Sequence, residues 1–99
     1  MNKALALRLY EAKFPQGGPG GWHTLNTKKG KEYLAYVPTT DEIIREMGKA
    51  FNALEIYEDG GFAVYYNGNI HPVVGKTPQV AMANAWLLLK EQEDAQKNQ

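Results

Sequence analysis

The chain has 99 residues, of which 43% are hydrophobic and 22% charged, so folding can bury about 60–70% of the surface that the unfolded chain exposes. Its 11 basic and 11 acidic side chains balance to a net charge of zero, which argues against non-specific nucleic-acid binding, because such binding requires a basic surface that neutralises phosphates. Cysteine and serine are both absent. Disulfides, thiolate metal sites, and catalysis by a cysteine thiol or a serine hydroxyl are therefore excluded.

The first residues favour a helix over 1–14, because Ala, Leu, Lys and Arg predominate and the leucines recur on one face. Pro15 ends this helix, since the residue before a proline disfavours the helical conformation. The glycines and prolines of 15–21 then predict a loop. Two short strands joined by a polar, glycine-containing connection predict a hairpin over 22–37.

The middle of the chain carries a helix signal followed by a turn signal. Thr39 and Glu42 have the spacing of a capping box, in which each side chain can satisfy a backbone amide of the other residue. This predicts a helix over 39–48. The sequence Asp-Gly-Gly at 59–61 favours the positive φ of a tight turn and predicts a second hairpin over 53–67.

A third helix is predicted over 77–91, because Thr77 suits the N-cap and proline costs nothing at the first helical position. The polar residues 92–99 are expected to fray. Apolar side chains cover most of this helix, so we expect it to lie either between the sheet and another helix or between the sheet and a second subunit. For a second subunit, the predicted contacts are Met82, Trp86 and Leu89.

These elements follow the order α-β-β-α-β-β-α, which predicts a single α+β domain over 1–99 with an antiparallel four-stranded sheet packed against helices. No apolar run approaches the about 20 residues that a membrane span needs, and the first residues lack a signal-peptide pattern. We therefore expect a cytoplasmic protein that does not enter a membrane.

Charge is distributed unevenly along the chain. Residues 1–31 hold six basic side chains and one acid, whereas 32–59 hold seven acids and two basic side chains. Opposite ends of the molecule can therefore differ in sign. Two solvated faces account for this pattern, and so does steering of a partner or of a second copy.

Basic and aromatic residues near two glycine-bearing loops suggest where a small anionic or nucleotide-type ligand would bind. Gly75-Lys76-Thr77 is similar to a phosphate-binding loop, but the first glycine of that motif falls on Ile70, which leaves a helix N-terminus that a plain cap also explains. Neither histidine has a second ligand at metal spacing, so no metal or cofactor is expected. The candidate ligand-binding residues are Trp22, His23, Lys28, Tyr65, Tyr66 and Lys76.

Three segments together carry a family pattern: LxEAxFPQ from Leu9, PTxxE from Pro38 and GxTPxxAxxNxW from Gly75. The chain resembles, over nearly its whole length, a family of small phage and prophage proteins with this pattern. The family has no assigned activity, so the resemblance brings no residue roles. It implies a viral or prophage origin and a host cytosol.

We expect from these observations a non-enzymatic accessory protein, built as a homo-oligomer, that binds a host component. This includes counter-defence, either by sequestering a nucleotide-type signal or by blocking a host factor. A first alternative is a protein–protein interaction module centred on the acidic residues Asp41, Glu42 and Glu46. A second alternative is an enzyme of unrecognised type.

Overall fold

The computed structural model describes residues 1–26, 30 and 32–97 and confirms the predicted α+β class. The chain divides into two compact units, Met1–Thr39 and Thr40–Gln99, and the expected single domain over 1–99 stays a prediction. The elements are α1 (Lys3–Glu11), β1 (Gly21–Asn26), β2 (Glu32–Val37), α2 (Thr40–Met47), a short 3-10 turn (Gly48–Ala50), β3 (Phe51–Ile56), β4 (Phe62–Tyr66), β5 (Val73–Gly75) and α3 (Pro78–Lys97).

The predicted four-stranded sheet is wrong. Within the described residues the strands form one two-stranded sheet, β1-β2, and a separate three-stranded sheet of order β3-β4-β5, and every pairing is antiparallel. The two predicted hairpins thus pair internally but do not join. β5 is an additional strand that the sequence did not predict.

No helix in the described part of the chain is long and apolar enough to cross a membrane.

In the first unit, α1 packs on one face of the β1-β2 hairpin. The Asn2 side chain begins the helix by accepting a hydrogen bond from the backbone N–H of Leu5 at 2.8 Å. The core of this unit contains Ala6 of the helix with Leu25 and Ala35 of the hairpin. α1 therefore covers one face of the hairpin and does not cover the other.

The end of α1 has the hydrogen bonds of a Schellman motif, which places it before the predicted end at 14. The Phe14 N–H donates to the Leu9 carbonyl at 2.9 Å, and the Lys13 N–H donates to the Tyr10 carbonyl at 3.0 Å. Lys13 adopts φ 66, a left-handed conformation that glycine occupies more readily. Phe14 and Leu9 are both buried, as the hydrophobic contact of this motif requires.

In the second unit, α3 contacts both the three-stranded sheet and α2. This is the first of the two predicted surroundings, and it accounts for the wide apolar arc of the helix. The sheet approaches α3 so closely at Gly75 that a Cβ there would lie 2.5 Å from the backbone nitrogen of Ala81. Only glycine fits this contact.

The three side chains predicted to meet a second subunit lie in the core of the chain instead. Met82, Trp86 and Leu89 are 0%, 6% and 7% exposed. These residues therefore offer a second subunit almost no surface. A homo-oligomer stays a prediction, and it would have to use other residues.

The predicted fraying of 92–99 is wrong for the described part, because α3 continues to Lys97. Glu, Gln, Ala and Lys all have high helix propensity, and Glu93 and Lys97 are four residues apart in the favourable order. Gln92 also donates a hydrogen bond from Nε2 to the hydroxyl of Tyr66 at 3.3 Å, which ties this turn of the helix to β4.

Candidate functional site

Two of the predicted ligand residues, Trp22 and His23, are neighbours on β1 and point to opposite faces of the hairpin. Trp22 is 49% exposed. His23 lies on the face that packs against α1, where its Nε2–H donates to the carbonyl oxygen of Met1 at 2.8 Å. His23 therefore does not join Trp22 in one site. Lys28 lies outside the described residues.

In the second unit, Tyr65 and Tyr66 also point to opposite faces of their sheet. Tyr66 is buried, and its hydroxyl accepts a hydrogen bond from Gln92 of α3. Tyr65 is half-buried. Because Tyr66 has little exposed surface, it serves the packing of α3 rather than a ligand surface.

Lys76 lines an open cleft of about 420 Å³ in the second unit, formed where the β3-β4 turn meets the end of β5. The backbone amides on one side of this cleft already have partners: Gly60 donates to the Tyr57 carbonyl, and Gly61 donates to Asp59 Oδ1 at 3.0 Å. The Thr77 hydroxyl accepts from the Val80 N–H at 3.1 Å, as the predicted helix cap requires. The cleft thus presents an acid and a base together rather than a set of free anion-binding donors.

The most exposed apolar surface of the first unit lies on the hairpin face that α1 does not cover. We call this the outward face. Its cross-strand pairs bring side chains of the two strands together two by two: Trp22 with Tyr36, Thr24 with Leu34 and Asn26 with Glu32. Trp22 is 49% and Leu34 55% exposed, and diagonal neighbours on a sheet are within reach of a large aromatic side chain. The two therefore form one apolar patch.

The glycine-rich loop holds the base of this patch in place. Gln16 Oε1 accepts from the Tyr36 N–H at 2.8 Å while its Nε2 donates to the Phe14 carbonyl. The Gly20 N–H donates to the Tyr36 hydroxyl at 2.7 Å. Tyr36 is completely buried, and its ring meets that of Trp22 edge-on, with centroids 5.1 Å apart. The loop fixes the Tyr36 ring against which Trp22 is packed.

Sequence reasoning selected Trp22 but missed Leu34, Tyr36 and Gln16. The two-residue spacing of Leu34 and Tyr36 was a usable signal, because residues at that spacing share one face of a strand. The contact of Gln16 with Tyr36 had no such signal, since the two residues are 20 positions apart.

Charge separates between the two compact units. Met1–Thr39 contains six basic side chains against the acids Glu11 and Glu32, whereas Thr40–Gln99 contains five basic side chains against nine acids. The unit that carries the outward face is therefore cationic, with a net charge of plus four, and the other unit is equally anionic.

Comparison of the chain with family models, with curated proteins and with solved structures found no match. The resemblance to the phage and prophage family stays a prediction that rests on the three sequence segments. Within the described residues, no three His, Cys, Asp or Glu side chains come together where they could hold a metal ion.

Proposed function

We propose that this chain is a non-enzymatic binding protein that attaches to a host component through the outward face of its β1-β2 hairpin. It acts as a small phage or prophage accessory protein in the bacterial cytosol, by blocking the host component that it binds. The observation that carries the proposal is that Trp22 and Leu34 are both about half-exposed, at diagonal positions on a face whose base is held by the loop.

Physical reasons favour an interface at this position. Single exposed apolar side chains are ordinary on protein surfaces, but tryptophan beside a second apolar residue is the composition of energetic centres in interfaces. Covering the exposed halves of both side chains would remove roughly 200 Å² of apolar surface from water, worth about 5 kcal/mol. Fixing the tryptophan beforehand reduces the entropy that a partner must offset on binding.

A sequestered nucleotide-type ligand has weaker support. The cleft at Lys76 combines this lysine with Asp59, and two of its backbone amides are engaged within the chain. A phosphate placed there would meet a carboxylate as well as an ammonium group. Blocking a host protein is therefore the better supported form of counter-defence.

The test is capture of host components from a bacterial lysate by the tagged full chain, with mass spectrometry of the proteins and nucleotides retained. We expect Trp22→Ala to abolish retention of the bound component. Ile70→Ala is the matched control, because Ile70 is 81% exposed and lies outside the outward face; it should retain the component. Equal retention by the Trp22→Ala variant, or no specific retention by the wild-type chain, contradicts the proposal.

The acidic interaction module is a second candidate, which the anionic second unit favours. Asp41 and Glu46 of α2 are exposed. If this surface is the binding surface, Asp41→Asn combined with Glu46→Gln abolishes capture whereas Trp22→Ala does not. The same capture experiment therefore separates the two candidates. Added salt should weaken capture through the acidic surface more than capture through the outward face.

A further inference from the structure

The edge of β2 that faces away from β1 is hydrogen-bonded to Gln16 at Tyr36 and is open at Leu34. The Tyr36 N–H donates to Gln16 and so points away from β1. The N–H and C=O of one strand residue face the same edge, and this direction alternates along the strand. Since the β1-β2 register continues without a bulge, the backbone groups of Leu34 and Glu32 face the same outer edge as Tyr36.

In the described part of the chain, β1 is the one strand that pairs with β2. The Gln16 side chain substitutes for a neighbouring strand at Tyr36. Leu34 and Glu32, the next residues whose backbone groups face this edge, are both exposed. An open stretch of strand edge with an exposed apolar side chain is a template for pairing with another chain.

Apolar side chains flank this open edge on both faces of the hairpin. Leu34 lies on the outward face, and on the opposite face the ring of Tyr33 lies 5.2 Å from that of Tyr10, which is exposed. A hollow of about 240 Å³ lies beside Leu34, lined by Thr24, Glu32, Tyr33 and Leu34. Alternate side chains of an added strand would contact Leu34 and the tyrosines in turn.

Charge selects among the strands that could add to this edge. The unit has a net charge of plus four, so a second copy that presents the same unit is repelled and an acidic segment is attracted. Glu32 is the local exception. The residue of the partner that lies directly opposite Glu32 should therefore be neutral or basic.

We propose that the β2 edge at Glu32–Leu34 binds an extended segment of a partner protein, in which acidic and apolar side chains alternate, as an added antiparallel or parallel strand. This inference rests on the proposed function, because it names the kind of partner that the same hairpin takes. Main-chain hydrogen bonds give affinity in this mode, and the flanking side chains give the preference for sequence.

The test uses a display library of random peptides about twelve residues long, roughly twice the usual length of a strand, selected on the full chain. Enriched peptides should be acidic and should alternate polar with apolar residues. Their affinities, measured by fluorescence anisotropy, should fall as salt concentration rises. Absence of enrichment, or enrichment of peptides without excess acid, overturns the inference.

Three variants separate the backbone, the side chain and the charge at this edge. Leu34→Pro removes the outward N–H at an edge position where proline is tolerated and should weaken peptide binding about tenfold, the equivalent of one main-chain hydrogen bond. Leu34→Thr keeps the N–H and should weaken binding about threefold through lost apolar contact. Glu32→Gln should tighten binding about threefold at low salt. Circular dichroism and the unfolding midpoint check that each variant is folded.

Unchanged affinity of the Leu34→Pro variant, once it is shown to be folded, overturns the inference. So does displacement of the peptides by single-stranded oligothymidylate, or a wild-type dimer in sedimentation that Leu34→Pro dissociates, because these outcomes assign the edge to nucleic acid or to a second copy. Host capture that is lost in Trp22→Ala but retained in Leu34→Pro leaves the proposed function standing while the added strand fails.

Discussion

Replacement of Gly20 by alanine should destabilise the chain strongly, whereas the same replacement at the adjacent Gly21 should not. A Cβ on Gly20 would lie 2.0 Å from the Val37 carbonyl oxygen and 2.8 Å from the Tyr36 hydroxyl. The loop backbone must therefore move by about 1 Å, since contacts below 3.0 Å essentially do not occur at a real Cβ. That movement breaks the hydrogen bond from the Gly20 N–H to the buried Tyr36 hydroxyl.

The magnitude follows from two contributions. Overpacking costs about 1–3 kcal/mol, and a buried hydroxyl that loses its partner costs about 1–2 kcal/mol more. We expect a loss of about 3 kcal/mol in the free energy of unfolding, or roughly 10–20 °C in the thermal midpoint. A Cβ on Gly21 meets nothing within 4 Å, so Gly21→Ala should stay within about 0.5 kcal/mol of wild type. Urea unfolding measures both, and equal midpoints for the two variants would refute the packing described for this loop.

Two further substitutions probe the end of α1 and the contact between β5 and α3. Lys13→Gly should stabilise the chain by about 1 kcal/mol in urea unfolding, because glycine adopts the left-handed conformation at φ 66 without strain; Lys13→Ala keeps the strain, and an equal gain there would contradict the reason given. Gly75→Ala should lower the thermal midpoint by an amount equivalent to about 2–3 kcal/mol, because the new Cβ meets the backbone of Ala81. The control is Val74→Ala, which changes the exposed neighbouring residue and should lower the free energy of unfolding by less than about 1 kcal/mol. A larger loss of stability in Val74→Ala than in Gly75→Ala would rule out this contact as the cause.

Local signals predicted most of the elements. The first helix, both hairpins and the starts of α2 and α3 follow from caps, turn residues and strand patterns that act over a few positions. Thr77, for example, caps α3 as expected. Asn67-Gly68 also carried a turn signal that the prediction passed over: both residues have positive φ, and the Asn69 N–H donates to the Tyr66 carbonyl.

The pairing of elements depended on contacts that sequence patterns do not encode. Strand patterns identify strands but not their partners, so two separate sheets could not be distinguished from one. The three residues of β5 are too few for a pattern, and their position depends on how Gly75 approaches α3. Burial of Trp86 likewise needs α3 to pack against other elements, and α3 contacts both α2 and the sheet.

The candidate site was predictable only in part, for the same reason. Trp22 was predicted as a ligand residue because it is an aromatic residue beside a glycine-rich loop, and in the structure it is half-exposed. The role of the loop depends on Gln16 and Gly20 reaching Tyr36 across 20 and 16 positions. From composition alone, a run of glycines indicates a flexible loop. The hydrogen bonds of Gln16 and Gly20 to Tyr36 show that this loop is tied to β2.

Amide hydrogen exchange, followed residue by residue in the full chain with and without its captured partner, tests the central claim most directly. The backbone amides of Glu32 and Leu34 face an open strand edge and should exchange quickly in the free chain. Binding through the hairpin predicts that these two amides become protected and that the indole N–H of Trp22 slows with them. Protection confined to residues 40–97, with β2 unchanged, would contradict the claim.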